Sequence, residues 1–218
     1  MDSPILYADR RDAGRQLANA LAGQVDRDAV IMALPRGGVP VAFEVARAFG
    51  AVLDVLIVRK LGAPGQPEFG IGAVADGADP QVVLNQDALD FLQPPPGYVQ
   101  GETRRQLDEI ARRRAAYLGG RPPTPVPGRT VVVVDDGAAT GGTARAALRA
   151  LRQAGAGRVL LAIPVGSARA VAQLRTEADE VVCLATPDNF RAVGMHYADF
   201  NQTSDQEVVR LLAQAAAV

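Results

Sequence analysis

One stretch limits what this chain can fold into more than any other: Val131 to Thr143, which reads VVVVDDGAATGGT. Four β-branched residues in a row, with no polar residue alternating among them, read as a strand covered on both faces, the form taken by a central parallel strand. The strand runs straight into two carboxylates, Asp135 and Asp136. Small residues follow (Gly137, Ala138, Ala139, Thr140, Gly141, Gly142), then Thr143 and an Ala-rich helix over about Ala144 to Ala154. Each part suits a phosphorylated sugar. Gly and Ala let backbone N–H groups close in on a phosphate, the helix N-terminus adds a favourable dipole, and the Thr hydroxyls add donors. The two carboxylates can accept hydrogen bonds from vicinal sugar hydroxyls or hold Mg²⁺ through water.

Other segments repeat the strand–loop–helix theme. Ala29 to Leu34 (AVIMAL) reads as a buried strand feeding Pro35-Arg36-Gly37-Gly38 and a helix from about Val39 to Phe49 that ends at Gly50. An Arg beside two glycines offers a guanidinium fork and exposed N–H groups, which suits a diphosphate; the bland alternative is a tight turn with a solvated Arg. Leu53 to Val58 (LDVLIV) reads as a third strand ending in Arg59-Lys60-Leu61-Gly62. Cations there would face the crevice where open α/β sheets bind ligands, or would simply be solvated. Arg158 to Ile163 and Glu180 to Leu184 complete the set, with Ser167 as N-cap of a helix over Ala168 to Thr176. A first helix, Arg11 to Ala22, carries only packing residues. The expected fold is α/β: a five-stranded, largely parallel sheet flanked by helices.

Between the third strand and the acid-pair strand lies an insert. Gly62 to Gly77 (GAPGQPEFGIGAVADG) is too rich in Gly and Pro for a helix and reads as a loop. Its Glu68 is either an ordered polar residue of the site or a loop carboxylate. Phe69 to Ala75 alternates weakly and is a candidate strand, paired with Gln81 to Leu84 through a turn over 76–80. Asn85 caps a short helix to Leu92, and Tyr98 to Leu118 reads as a long helix with an apolar stripe of Leu107, Ile110, Ala111, Tyr117 and Leu118. Its arginines, Arg104, Arg105 and Arg112 to Arg114, form either a solvated face interleaved with Glu102, Asp108 and Glu109 or a nucleic-acid contact. Gly119 to Arg129, with four prolines, reads as a linker. The tail, Thr186 to Asp205, gathers Phe190, His196, Tyr197 and Phe200. These rings make either a pocket for a flat heterocycle, with Phe190, Tyr197 and His196 binding an acceptor, or a satellite cluster that pins the tail. His196, the only histidine, reads first as a hydrogen-bonded structural residue. Ser204 or Asp205 caps a last helix to about Ala216.

VVVVDDGAATGGT resembles the PRPP-binding motif of type I phosphoribosyltransferases: an apolar run, two acids and a loop ending in T-G-x-T, PRPP being 5-phosphoribosyl 1-pyrophosphate. Most members have an aliphatic residue directly after the acid pair, where this chain has Gly137. Together with PRGG, VRKLGAPGQPEFGIGAV and ADFNQTSDQEV, nearly the whole chain is similar to bacterial proteins of about this length named as phosphoribosyltransferases. Some of those are fused to a hydrolase-like domain, and family membership does not establish their acceptor. The resemblance implies one domain over 1–218, with a core at about 1–61 and 129–185, a lid or insert at about 62–128 and a hood or tail at about 186–218. It implies Mg²⁺, with Asp135 and Asp136 as its ligands, and catalysis by Asp135, Asp136, Lys60 and Arg36. Gly137, Ala138, Ala139, Thr140, Gly141, Gly142 and Thr143 would hold the 5-phosphate. Arg36, Gly37, Gly38, Arg59 and Lys60 would hold the pyrophosphate, with a cis or strained peptide near Arg36–Gly37. The partners implied are PRPP, a small acceptor and a second copy of the chain in a homodimer. In such enzymes a flexible loop after the third strand is the lid.

Composition excludes several classes. At 48% hydrophobic and 22% charged, the chain is not of disordered type. A net charge of −1 argues against broad nucleic-acid or membrane binding. The single cysteine, Cys183, permits no internal disulfide and sits in an apolar run as a core residue, so a cytoplasmic setting is expected. No signal peptide opens the sequence and no apolar run approaches ~18 residues. Gly137, Ala138 and Ala139 offer no general base for a purine nitrogen, so the sequence names no acceptor. Two other uses of the same fold stay open: a non-enzymatic PRPP- or nucleotide-sensing regulator, which would need a contiguous basic surface to bind nucleic acid, and a PRPP or nucleotide hydrolase with water as acceptor.

Overall fold

The computed structural model describes residues 5–216 apart from Ala78 and the side chain of Glu68, so the reading of Glu68 and the centre of the 76–80 turn lie outside the described residues. In chain order the elements are α1 (Arg10–Ala20), β1 (Val30–Ala33), α2 (Gly38–Phe49), β2 (Val52–Val55), β3 (Val58–Ala63), β4 (Gln66–Ala75), β5 (Gln81–Leu84), α3 (Gln86–Leu92), α4 (Tyr98–Leu118), β6 (Thr130–Val134), α5 (Gly142–Gln153), β7 (Arg158–Val165), α6 (Ala168–Leu174), β8 (Glu180–Ala185) and α7 (Asp205–Ala215), with a 3₁₀ turn at Val193–His196 before α7.

The main sheet has five parallel strands in the order β2-β1-β6-β7-β8. Its centre is the valine run. Val132 and Val134 point into one apolar layer with Leu17, Phe43 and Leu211, whereas Val131 and Val133 point into the other with Leu148, Ile163 and Leu174. Alternation thus sends each successive valine to the opposite face, and all four are fully buried. Helices α1, α2 and α7 build the first layer. Gly14 lets α1 sit on α2, because a Cβ there would lie 2.6 Å from the Val41 carbonyl. Helices α5 and α6 build the second layer.

The third strand expected over Leu53 to Val58 is two strands. β2 ends at Val55, and Leu56 still donates to the Ala33 carbonyl, but the Ile57 N–H turns to the Asp76 carboxylate at 2.7 Å. A new three-stranded antiparallel sheet, β3-β4-β5, begins at Val58. Within 62–77 the candidate strand Phe69 to Ala75 is the greater part of β4, and the remainder, read as loop, completes the hairpin β3–β4, turning at Pro64-Gly65 with Gly65 at φ 70°. Its glycines fit a strand because neighbours press on them: a Cβ at Gly62 would meet Pro67 Cα at 2.7 Å, and one at Gly72 the Val83 carbonyl at 2.7 Å. Gln81 to Leu84 pairs with β4 as expected.

Helix α4 has the expected bounds, but Ala111 is exposed, and the buried face runs Glu102, Gln106, Ile110, Tyr117. Its basic face is also less basic than it reads. Arg105 pairs with Glu102, and Arg112 and Arg113 pair with Glu109. Arg114 turns inward and binds Asp76 at 2.7 Å and both oxygens of Asp54 at 3.1 Å. Asp54 also accepts from the backbone of Val55 and Thr124. This ionic knot fastens the insert and the 119–129 linker to β2. Among the described residues no helix is long and apolar enough to cross a membrane.

Candidate functional site

The site is built at the C-terminal ends of β1 and β6, where neighbouring parallel strands release their loops into one crevice. Leu34 N–H donates to the Val134 carbonyl, which brings the two loops side by side. The Pro35–Arg36 peptide is cis, one bond ahead of where it was expected. Gly37 and Gly38 then pass directly under the acid pair. A Cβ on Gly37 would stand 2.0 Å from Asp136 Oδ2, and one on Gly38 would stand 2.6 Å from the Val134 carbonyl and 3.0 Å from Asp135 Cα. No other residue type fits at either position without moving the acid-pair segment. The PRGG loop and the acid pair therefore form one unit.

Asp135 Oδ1 accepts the N–H of Asp136, and Asp136 Oδ2 accepts Arg10 Nε at 2.9 Å. One oxygen of each carboxylate is thus held, and among the described residues the other takes no hydrogen bond. Burial and the neighbouring charge of Asp136 push the Asp135 carboxyl well above the ordinary range. Burial also raises Asp136, against the pull of Arg10. Two under-solvated carboxylates side by side favour a cation or hydroxyl donors between them. Among the described residues no three His, Cys, Asp or Glu gather to cage a metal ion. The acid pair therefore fits Mg²⁺ that keeps most of its ligands as water and substrate oxygens, and does not fit an all-protein metal site.

Arg10 escapes the sequence reading, in which α1 carries packing residues alone. A local signal exists: Arg10 and Arg11 open a helix, the end where cations are disfavoured. Asp9 caps that helix through the Asp12 N–H. Arg36, half-exposed, lies 3.6 Å from Asp205 Oδ1, and Asp205 also accepts from the Tyr117 hydroxyl at 2.9 Å.

In the loop after the acid pair, Ala138 is buried. Its N–H goes to the Val165 carbonyl and its carbonyl accepts from Ser167, so it anchors the loop and does not face a phosphate. Ala139, Thr140, Gly142 and Thr143 are not buried at the start of α5, and Gly141 takes φ 74° to begin the helix. Gly137 answers its unusual residue type: a Cβ would come within 2.7 Å of Val193 Cγ1 and 2.8 Å of the Val165 carbonyl. Val193 of the tail fills the space beside position 137.

The two cations after the third strand part company. Arg59 turns to helix α4 and donates to Gln106 at 3.0 Å. Lys60, on β3, lies with Thr140, Gly142, Thr143 and Arg145 along a cleft of about 760 Å³ between the antiparallel sheet and α5. Neither Arg36 nor the acid pair lines that cleft. The expectation that Arg59 and Lys60 sit together at a parallel strand end is corrected by the break at Leu56–Ile57.

The aromatic tail forms a cluster with the N-terminal segment. The N–H groups of Leu6 and Tyr7 donate to the His196 carbonyl, and Ala198 N–H donates to the Tyr7 carbonyl. Phe190 stacks on His196 at 5.5 Å, and Tyr7 and Tyr197 lie 5.2 Å apart. His196 is fully buried and Tyr197 nearly so. The Tyr197 hydroxyl donates to the Asp136 backbone carbonyl at 2.6 Å, supporting the acid pair from behind. Of the three residues read as acceptor-binding, only Phe190 is partly exposed.

A sequence profile of the phosphoribosyl transferase domain matches residues 9–199. Two Mycobacterium tuberculosis proteins, named provisionally as phosphoribosyl transferases, are 50% identical over 210 residues, 96% of this chain. The chain spans about half of their length, 47%. A crystal structure of TT1426 from Thermus thermophilus is 45% identical with a TM-score of 0.84, covering 96% of this chain and 98% of that one. A hypothetical protein of Neisseria gonorrhoeae with bound ppGpp shares the fold at 16% identity and a TM-score of 0.54, covering 98% of each chain. The acid-pair loop, the PRGG loop and the parallel sheet that joins them thus sit in a chain that belongs to the phosphoribosyl transferase family.

Proposed function

We propose that this domain binds PRPP with Mg²⁺ and transfers its 5-phosphoribosyl group to a nitrogen of a flat heterocyclic acceptor, releasing pyrophosphate. The observation that carries this is the interlock of Gly37 and Gly38 with Asp136 and Asp135. It sets a diphosphate-type loop edge to edge with a carboxylate pair suited to a sugar diol. In the reaction the bond from C1 to the pyrophosphate oxygen breaks, its electron pair leaves with pyrophosphate, and the acceptor lone pair forms the new bond to C1. Charge builds on the departing oxygen and on the sugar ring, so catalysis is positioning and charge stabilisation. Arg36 and the amides of Gly37 and Gly38 hold the diphosphate. The unheld oxygens of Asp135 and Asp136 accept from the ribose hydroxyls and face the developing positive charge. The exposed amides and hydroxyls of Ala139 to Thr143 bind the 5-phosphate, with Lys60 across the cleft. Bound Mg²⁺ would neutralise charge on the leaving group. In this reading the β3–β4 hairpin serves as the lid, and residues 1–218 act as one cytoplasmic unit that pairs as a homodimer.

Titration calorimetry of PRPP with and without Mg²⁺ tests this reading on wild type and on the Asp135→Asn/Asp136→Asn double variant. Mg²⁺-assisted binding that the double variant loses supports it; a folded wild type that ignores PRPP sinks it. Bases are then screened for pyrophosphate release. The ppGpp held by the Neisseria neighbour favours keeping one second reading, a nucleotide sensor using the same loops without an acceptor. Titrating ppGpp beside PRPP separates the two. A nucleic-acid-binding version has less support, because most of the arginines at the C-terminal end of α4 are paired with carboxylates.

A further inference from the structure

Arg10 is gripped on three sides. Its Nε donates to Asp136 Oδ2 at 2.9 Å, its Nη1 donates to the Asn201 carbonyl at 2.7 Å, and its guanidinium lies 3.9 Å from the centre of the Phe200 ring. The side chain is only 11% exposed. It also borders the PRGG loop, since a Cβ on Gly37 would stand 3.3 Å from Arg10 Nε. A planar, always-charged fork can serve a carboxylate, a carbonyl and an aromatic face at once, and a lysine cannot. Its place in the first turn of α1 works against the helix dipole, so helix stability does not explain it.

We propose that Arg10 is the positioning residue of the acid pair: clamped by Phe200 and Asn201, it fixes the Asp136 carboxylate so that one oxygen is held and the other is presented to the substrate. This rests on the PRPP reading above. An aspartate carboxylate turns easily about its last torsion. Beside a second carboxylate and with no anchor, it would turn away from its neighbour, and the two unheld oxygens would no longer be set for a diol or for the water shell of Mg²⁺. Anchoring it in advance removes that reorganisation from the binding step. The tail then has a definite task. Phe200 and Asn201 hold Arg10, and Tyr197 holds the Asp136 backbone, so this short stretch fixes the acid pair from two directions.

The test measures the affinity for PRPP with and without Mg²⁺ in wild type, Arg10→Met, Arg10→Lys, Asp136→Asn and Arg10→Met/Asp136→Asn, each checked for fold by circular dichroism. A merely structural Arg10 would lower the melting temperature and leave the gain in affinity due to Mg²⁺ unchanged. The expected result is a loss of about tenfold or more in that gain for Arg10→Met, partial recovery in Arg10→Lys, and less than about a twofold further loss when Asp136→Asn is added, since coupled residues are not additive. An unchanged Mg²⁺ gain in Arg10→Met, or losses that simply multiply in the double variant, overturns the proposal while leaving the site reading in place. A wild type that binds no PRPP overturns both. If Arg10→Met does not fold, Phe200→Leu decides: it keeps both charges and removes the aromatic side of the clamp. A reduced Mg²⁺ gain supports the proposal and an unchanged one overturns it.

Discussion

Two pairs of aspartates, Asp54 with Asp76 in the interior and Asp135 with Asp136 half-buried at the crevice, are held in opposite ways. Asp54 and Asp76 share Arg114, and each also takes backbone N–H groups: Val55 and Thr124 for Asp54, Ile57 for Asp76. Among the described residues, Asp135 and Asp136 have one N–H and one arginine nitrogen between them. The first pair is nearly saturated and ties four segments together. The second is left with unmet accepting capacity beside a glycine loop. Burying a carboxylate is costly unless its oxygens are satisfied, and the half-buried second pair is left less fully satisfied by the protein than the first. That difference fits the second pair to the ligand-holding role proposed for it.

The contrast can be broken most forcefully at Arg114. Arg114→Met leaves two buried carboxylates facing each other and should cost about 3–5 kcal/mol, read as a fall in the urea midpoint. A loss under a third of that would mean that the knot is ornamental. Next comes pH. Burial outweighs Arg114 and raises the Asp76 carboxyl from 3.8 to about 6. The folded chain therefore holds this proton more tightly than the unfolded chain does. Stability from this group falls as pH rises from about 4 to about 6, by about 3 kcal/mol, and is level above that. Asp76→Asn should flatten the slope, and a slope that survives the substitution assigns it to another group. The smallest effect has the opposite sign. Asp135→Asn replaces a poorly solvated charge by a neutral amide and should raise stability at pH 7 by about 1 kcal/mol while abolishing Mg²⁺-assisted PRPP binding. A lower melting temperature in that variant would place Asp135 with Asp54 as a structural residue.

Much of the sheet was legible because each strand of the core is a short apolar run bounded by Gly, Pro or charge. The valines of β6, the αL glycine that ends α2 and the caps at Asn85, Ser167 and Ser204 all stand where local chemistry puts them. The break inside LDVLIV was invisible, since Leu56 and Ile57 are apolar on either side of it and the group that ends the ladder, Asp76, is distant in sequence. Phe69 to Ala75 was legible as a strand, but Gly62 to Pro67 read as loop, because the pairing that makes a hairpin of it is set by contacts in space. The acid pair and the PRGG loop were legible as motifs. Their interlock, the grip of Arg10 and the burial of His196 and Tyr197 were not, because each depends on which chain segments meet in space.

The fastening of Asp136 also bears on when the molecule becomes competent. Arg10 meets Asp136 across 126 residues of sequence and Asn201 across 191, while Tyr197 meets Asp136 across 61. Contacts closed over such long stretches form late, because the chain between them must already be ordered or its loop entropy overcome. The neighbouring pairs β6–β7 and β7–β8 can form while the carboxylates at the end of β6 are still untethered. During synthesis the PRGG loop and acid pair emerge well before residues 197–201, so a nascent chain would carry the sugar-facing motif long before it could hold that motif in its final geometry.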